Sequence, residues 1–139
     1  MRIDAAVVNE EGSPFSIEEL ELDDPGPDEI LVRIVATGVC PTDAHVQHQK
    51  IPVALPIVLG HEGAGVVERV GESVTAVAPG DHVVLAYQAC GHCKRCLLGN
   101  GASCERVLAA NFGGVRLDAT TESGASTERR RSTRLDRCS

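Results

Sequence analysis

Apolar and polar positions alternate with a period of two in several early segments, the spacing of half-buried strands rather than of helices. I-D-A-A-V-V (Ile3 to Val8) and F-S-I-E-E-L-E-L (Phe15 to Leu22), separated by N-E-E-G-S-P, predict a hairpin. D-D-P-G-P-D-E then breaks the chain before E-I-L-V-R-I-V-A-T-G-V, a strand expected to place Ile30, Val32 and Ile34 on one face. A further strand is predicted in G-A-G-V-V-E-R-V-G (Gly63 to Gly71). After a turn at A-P-G-D, the last one is D-H-V-V-L-A. One short helix is expected from Pro41 or Thr42 to about Gln49, with Thr42 as its cap and Asp43 in its first turn.

Composition narrows this β-rich pattern. With 139 residues the chain can build one small domain, too little for a catalytic domain and a full dinucleotide-binding domain together. Phe15, Tyr87 and Phe112 are the only aromatic residues, so the core must come from Val, Ile, Leu and Ala, which suits a small β barrel. No apolar run approaches membrane-spanning length, so no membrane partner is expected.

The net charge of −7 argues against nucleic acid, whose phosphates are bound mainly by clustered Lys and Arg. That charge is uneven. Residues 1 to 115 hold 7 basic against 16 acidic side chains, whereas residues 116 to 139 hold 6 Arg against 4 acids. The second stretch has almost no large apolar residues and reads as a disordered tail, with Arg129 to Arg131 a solvated run and Cys138 an exposed free thiol. The expected division is a folded domain over 1–115 and a tail over 116–139.

The strongest chemical signal follows the last strand, where C-G-H-C-K-R-C-L-L-G-N-G-A-S-C places Cys90, Cys93, Cys96 and Cys104. Tetrahedral zinc needs four soft ligands at one point; thiolates two residues apart on a turning backbone supply three, and a short loop returns the fourth. This favours a closed structural zinc lobe over residues 90–104. An iron–sulfur cluster, disulfides and inert buried thiols are the alternatives. Against the cluster stand the seven-residue gap before Cys104 and the Glu that follows it, where the compact ferredoxin run has a shorter gap and a proline. Against disulfides stands the start of the chain, where Met1 leads into a strand without an apolar signal segment; a cytoplasmic location is expected. His92 lies inside the lobe and reads as a solvated loop residue.

A second constellation lies between the strands. Cys40 ends one strand in G-V-C-P-T-D-A-H-V, and His61 and Glu62 open another in G-H-E-G-A-G. A thiolate and an imidazole on neighbouring strand ends can share a metal beside a carboxylate. By residue type alone, a Cys and a His so separated are more often core and surface residues than ligands.

Taken in order, these segments resemble the N-terminal part of the zinc-dependent medium-chain alcohol dehydrogenases. The likeness is to the branch acting on aryl, benzyl and similar primary alcohols. It runs over about residues 3 to 115 and includes N-F-G-G at Asn111 to Gly114. The fold the resemblance implies is a GroES-like partial barrel, mostly antiparallel strands with a few short helices. Cys40 and His61 match two of the family's three protein ligands to a catalytic zinc, and Glu62 matches an acidic neighbour able to approach it. Thr42 matches the hydroxyl that hydrogen-bonds the substrate alcohol, His45 the outer end of a proton relay, and Asp43 the carboxylate that holds the ligand His. The four cysteines match the structural zinc lobe. Pro41 departs from the pattern, since many relatives carry a basic residue there against the cofactor pyrophosphate.

The resemblance also implies NAD as hydride acceptor and a small alcohol or aldehyde as substrate. Yet no G-x-G-x-x-G turn between strand and helix occurs, so no Rossmann domain or cofactor-binding residue is assigned. The family's third ligand to the catalytic zinc has no match either. The chain therefore reads as a truncated catalytic domain, inactive alone, with a non-catalytic zinc-binding module as the alternative. The family's usual dimer or tetramer forms through the cofactor domain, so this stretch is not expected to carry that interface; strand edges left unpaired would instead favour association or aggregation.

Overall fold

The computed structural model describes residues 1–112. The expected tail, with Arg129 to Arg131 and Cys138, lies outside them. Two three-stranded sheets form the body. In the first, β1 (Arg2–Val8) is central, flanked by β2 (Ser16–Glu21) and β4 (Ile57–Val58). In the second, β5 (Gly63–Val70) is central, between β3 (Ile30–Thr37) and β6 (His82–Val84). Every pairing is antiparallel, and no barrel closes among the described residues. The fold is thus mainly β, as the alternation predicts, and no parallel β-α-β unit occurs among the described residues.

Each sheet owes its place to its own apolar cluster. Ala5, Val7 and Leu20 are buried across the β1–β2 hairpin, with Ile3 and Val58 against them. Ile30, Val32, Val67 and Val83 form the second cluster, closed by Val70, Val74, Val77 and Leu85. These are small branched side chains, as the scarcity of aromatics requires. Ile34 does not join them: it is 40% exposed, while Leu31 is buried. The β3–β5 register slips between Leu31 and Val32, where Glu68 of β5 is passed over, and again between Ile34 and Ala36, where Val35 of β3 is passed over. Pairing is thus irregular on both sides of the Val32–Ile34 stretch, and burial along β3 ends at Val32 instead of following a two-residue period.

β3 and β5 pass closely at Gly65. A Cβ there would overlap the Arg33 carbonyl oxygen and lie 2.6 Å from Val32 Cγ1. Gly65→Ala should therefore force β3 and β5 apart and destabilise the domain by about 1–3 kcal/mol, read as a lower denaturation midpoint. A denaturation midpoint unchanged from wild type would contradict this close approach.

The helices are short. α1 (Pro41–Gln47) follows β3, α2 (Lys94–Leu97) lies inside the four-cysteine segment, and α3 (Val107–Phe112) follows it. α1 stops at Gln47 rather than Gln49, because His48 caps it and Gln49 takes φ of 50°, a left-handed conformation that ends the helix. Its N-cap is Cys40, not Thr42: the Cys40 sulfur accepts the Thr42 N–H at 3.3 Å, and the Asp43 carboxylate accepts the Cys40 N–H at 2.8 Å. Pro41 sits in the first turn, where its missing N–H costs nothing.

Candidate metal centres

The four cysteines of the 90–104 segment converge. Their sulfurs all lie within 4.8 Å of one another. Cys93 and Cys96 stand 3.5 Å apart, and Cys90 and Cys96 3.9 Å apart. Zinc–sulfur bonds of about 2.3 Å in a tetrahedron put the sulfurs about 3.8 Å apart, so the geometry fits that ion. A disulfide would need about 2.05 Å, and all four are free thiols. Local backbone builds the cluster. Cys93 caps α2, Cys96 sits within it, and a 3-10 turn at Gly101–Ser103 delivers Cys104, the one buried member.

Backbone N–H groups surround these sulfurs. The N–H of Cys93 points at Cys90 Sγ at 3.4 Å, and those of Cys90 and Arg106 point at Cys104 Sγ at 3.3 Å each. The N–H groups of Glu105 and then Cys96 hold the Cys93 thiol down to about 6. Burial raises Cys104, but the N–H groups of Cys90 and Arg106 outweigh it and the net shift is downward. Burial, joined by the neighbouring thiols, pushes Cys96 up to about 12. The backbone thus favours the thiolate of Cys93 and shifts Cys104 in the same direction, while burial opposes ionisation of Cys96 unless a cation offsets it.

The second centre forms where β3 runs into α1 and meets the start of β5. Ligand atoms of Cys40, His61 and Glu62 lie within 4.8 Å of one another. Cys40 Sγ stands 3.3 Å from His61 Nε2, close to the roughly 3.5 Å expected when sulfur and imidazole share a tetrahedral zinc. Behind them Asp43 is 4% exposed, with one carboxylate oxygen on the Cys40 N–H and the other 3.9 Å from His61 Nδ1. One carboxylate therefore holds the backbone of the Cys and faces the far side of the His. Gly38 makes room for Glu62, since a Cβ there would overlap the Glu62 carboxylate.

The remaining sequence candidates fall close by, though less directly. Thr42 is half-buried and reaches the Cys40 sulfur through its backbone N–H, and His45 is exposed on α1. Sequence reasoning misses Tyr87. Its ring stacks on His61 with centroids 4.9 Å apart and planes 18° from parallel, and its hydroxyl oxygen lies 3.3 Å from His61 Nε2. The only signal in the sequence is a lone tyrosine three residues before the first cysteine of the lobe.

With both clusters in view, the chain can be compared with known proteins. The alcohol dehydrogenase GroES-like domain matches residues 26–130, well over half of the sequence. The chain belongs to this family. Among solved structures the GroES-like domain resembles an alcohol dehydrogenase zinc-binding domain protein from Burkholderia ambifaria, with 56% identity and a TM-score of 0.81 over 83% of this chain. It also resembles benzyl alcohol dehydrogenase from Acinetobacter calcoaceticus, with 47% identity and a TM-score of 0.81 over 84% of this chain. Geraniol dehydrogenase from Castellaniella defragrans is 48% identical over 112 residues, 81% of this chain.

The chain spans 30% of the length of that geraniol dehydrogenase, and 31% and 32% of the two solved chains. The family is that of zinc-dependent alcohol dehydrogenases, and this member carries one four-cysteine cluster and one Cys–His–Glu group able to hold such a metal. No helix among the described residues is long and apolar enough to cross a membrane.

Asp43 offers a direct test of the second centre. Asp43→Ala removes the acceptor for the Cys40 N–H and the group facing His61 Nδ1. Metal affinity at Cys40, His61 and Glu62 should fall about 10–100-fold, measured by titrating cobalt(II) into protein with a zinc-filled lobe. Unchanged affinity would show that the carboxylate orients nothing.

Proposed function

We propose that this chain is the zinc-holding, alcohol-binding part of an NAD-dependent alcohol dehydrogenase acting on a small primary alcohol, aromatic ones among them, or its aldehyde. The observation that carries the reading is the convergence of Cys40, His61 and Glu62 against a buried Asp43. Zinc held there would act as a Lewis acid that lowers the pKa of an alcohol beside it. The Asp43 carboxylate faces His61 Nδ1, which favours a proton on that nitrogen and leaves Nε2 free to bind. The Thr42 hydroxyl accepts the alcohol proton while releasing its own, and the exposed His45 delivers a proton to solvent at the outer end of the relay. The four-cysteine lobe is structural, as its closed set of four ligands suggests.

The hydride acceptor needs a site of its own. All strand pairings of residues 1–112 are antiparallel, so these residues offer no dinucleotide crevice between parallel strands. That observation supports the second reading, a zinc-binding β module without turnover of its own. Free thiols ready for zinc fit a reducing, cytoplasmic setting.

One experiment tests the main reading. The full chain, carrying zinc in the lobe and cobalt(II) at the second centre, is mixed with benzyl alcohol. A change in the visible cobalt bands that saturates with alcohol is expected, and Cys40→Ser should abolish it. Cobalt bands indifferent to alcohol would leave only the module.

A further inference from the structure

Tyr87 is 48% exposed, yet it is fixed from two sides. On one side its ring covers the face of the His61 imidazole, 18° from parallel. On the other, the Phe112 ring leans on it at a centroid distance of 6.1 Å and a tilt of 38°. The backbone next to it is fixed as well. Asn111 Oδ1 accepts the Gln88 N–H at 2.7 Å, and Asn111 Nδ2 donates to the Gln88 carbonyl at 3.0 Å and to the Val107 carbonyl at 2.8 Å. Both Asn111 and Phe112 belong to α3, whose start is tied to Cys104 through the Val107 N–H.

The direction of the stacking matters for the imidazole. The rings are nearly parallel, and His61 Nε2 lies 3.3 Å from both the Tyr87 hydroxyl oxygen and the Cys40 sulfur. The ring can still rotate about its Cβ–Cγ bond unless something covers a face, and Asp43 touches only the opposite edge, at 3.9 Å. Tyr87 thus restricts the ring from its face, as Asp43 faces it from its edge.

We propose that Tyr87 is a positioning residue for the Cys40, His61 and Glu62 centre: its ring, backed by Phe112 of α3 while Asn111 of the same helix fixes the adjoining Gln88 backbone, sets the plane of His61. This rests on the reading of that centre as a metal site. It adds a physical connection between the two clusters, since the helix that steadies Tyr87 grows out of the last cysteine of the lobe. The stacked face carries the effect, so phenylalanine should replace tyrosine and an aliphatic residue should not.

The test uses the full chain with zinc in its lobe, titrated with cobalt(II). Tyr87→Leu should raise the dissociation constant at the second centre about tenfold, and Tyr87→Phe should stay within about twofold of wild type. The lobe should keep its zinc in both, which a general loss of folding would not allow. Should Tyr87→Leu fail to fold, Phe112→Ala removes the support from outside the centre and is expected to weaken cobalt binding in the same direction. The chain has one tyrosine and no tryptophan, so wild-type tyrosine emission reports Tyr87 alone and should be quenched as cobalt binds. Tyr87→Leu binding cobalt as wild type does, or Tyr87→Phe losing as much as Tyr87→Leu, overturns the proposal. So does cobalt that binds the wild type without quenching. A wild type that takes up no cobalt beyond the lobe overturns both this inference and the function proposed above.

Discussion

Cys104→Ser is expected to empty the lobe. Between Cys90 and Cys104 the chain has almost no apolar core: Leu97 and Leu98 are 74% and 72% exposed, and Cys104 is the one buried residue of the segment. Its secondary structure is a four-residue helix and a three-residue 3-10 turn, too short to stand without support. The metal is therefore the core of the lobe, and sites of this kind contribute about 10–16 kcal/mol of apparent binding energy near neutral pH. Without one thiolate, zinc per chain should fall by one and residues 90–104 should become protease-sensitive. The β1–β2 hairpin, which rests on a separate cluster, should persist. Retention of the lobe metal with unchanged proteolysis would show that the four sulfurs serve no ion.

The second large effect concerns Cys40. Serine is a good helix cap, so Cys40→Ser should spare α1 while replacing the soft sulfur with a weak oxygen ligand. Affinity for metal at the second centre should drop more than about a hundredfold, beyond what loss of an outer partner such as Asp43 produces. His61→Ala should do the same. The lobe should be untouched in both, so metal content would settle at one ion per chain. If either variant still held two, the three side chains would be neighbours without being ligands.

Legibility in the amino-acid sequence differs from residue to residue, according to whether the cause is local or tertiary. The β1–β2 hairpin and the long strands β3 and β5 show in the alternation, because half-buried sheets impose a period of two. The two register slips of the β3–β5 ladder do not show, nor does the exposure of Ile34. β4 leaves no trace in the pattern: two residues, Ile57 and Val58, pair with β1 only because the tertiary fold brings them there. The four cysteines announce themselves by spacing, since all their ligand geometry is local. Cys40 and His61 stand 21 residues apart, and residue type alone gives them little weight until the surrounding segments are seen to resemble a family. The cap of α1 is misplaced by sequence for a related reason. Thr42 is the better cap by residue type, but the sulfur of Cys40 fills both roles, beside His61 and at the helix start. Tyr87 carries no motif, and only the contact with His61 gives it meaning.

The central claim is that two metal centres are built into residues 40–104, and elemental analysis tests it most directly. The full chain, purified under reducing conditions and dialysed free of loose metal, should contain close to two zinc ions per molecule, falling to one in Cys40→Ser and to one in Cys104→Ser. Protein that is folded by circular dichroism yet contains no zinc would contradict the account at its root.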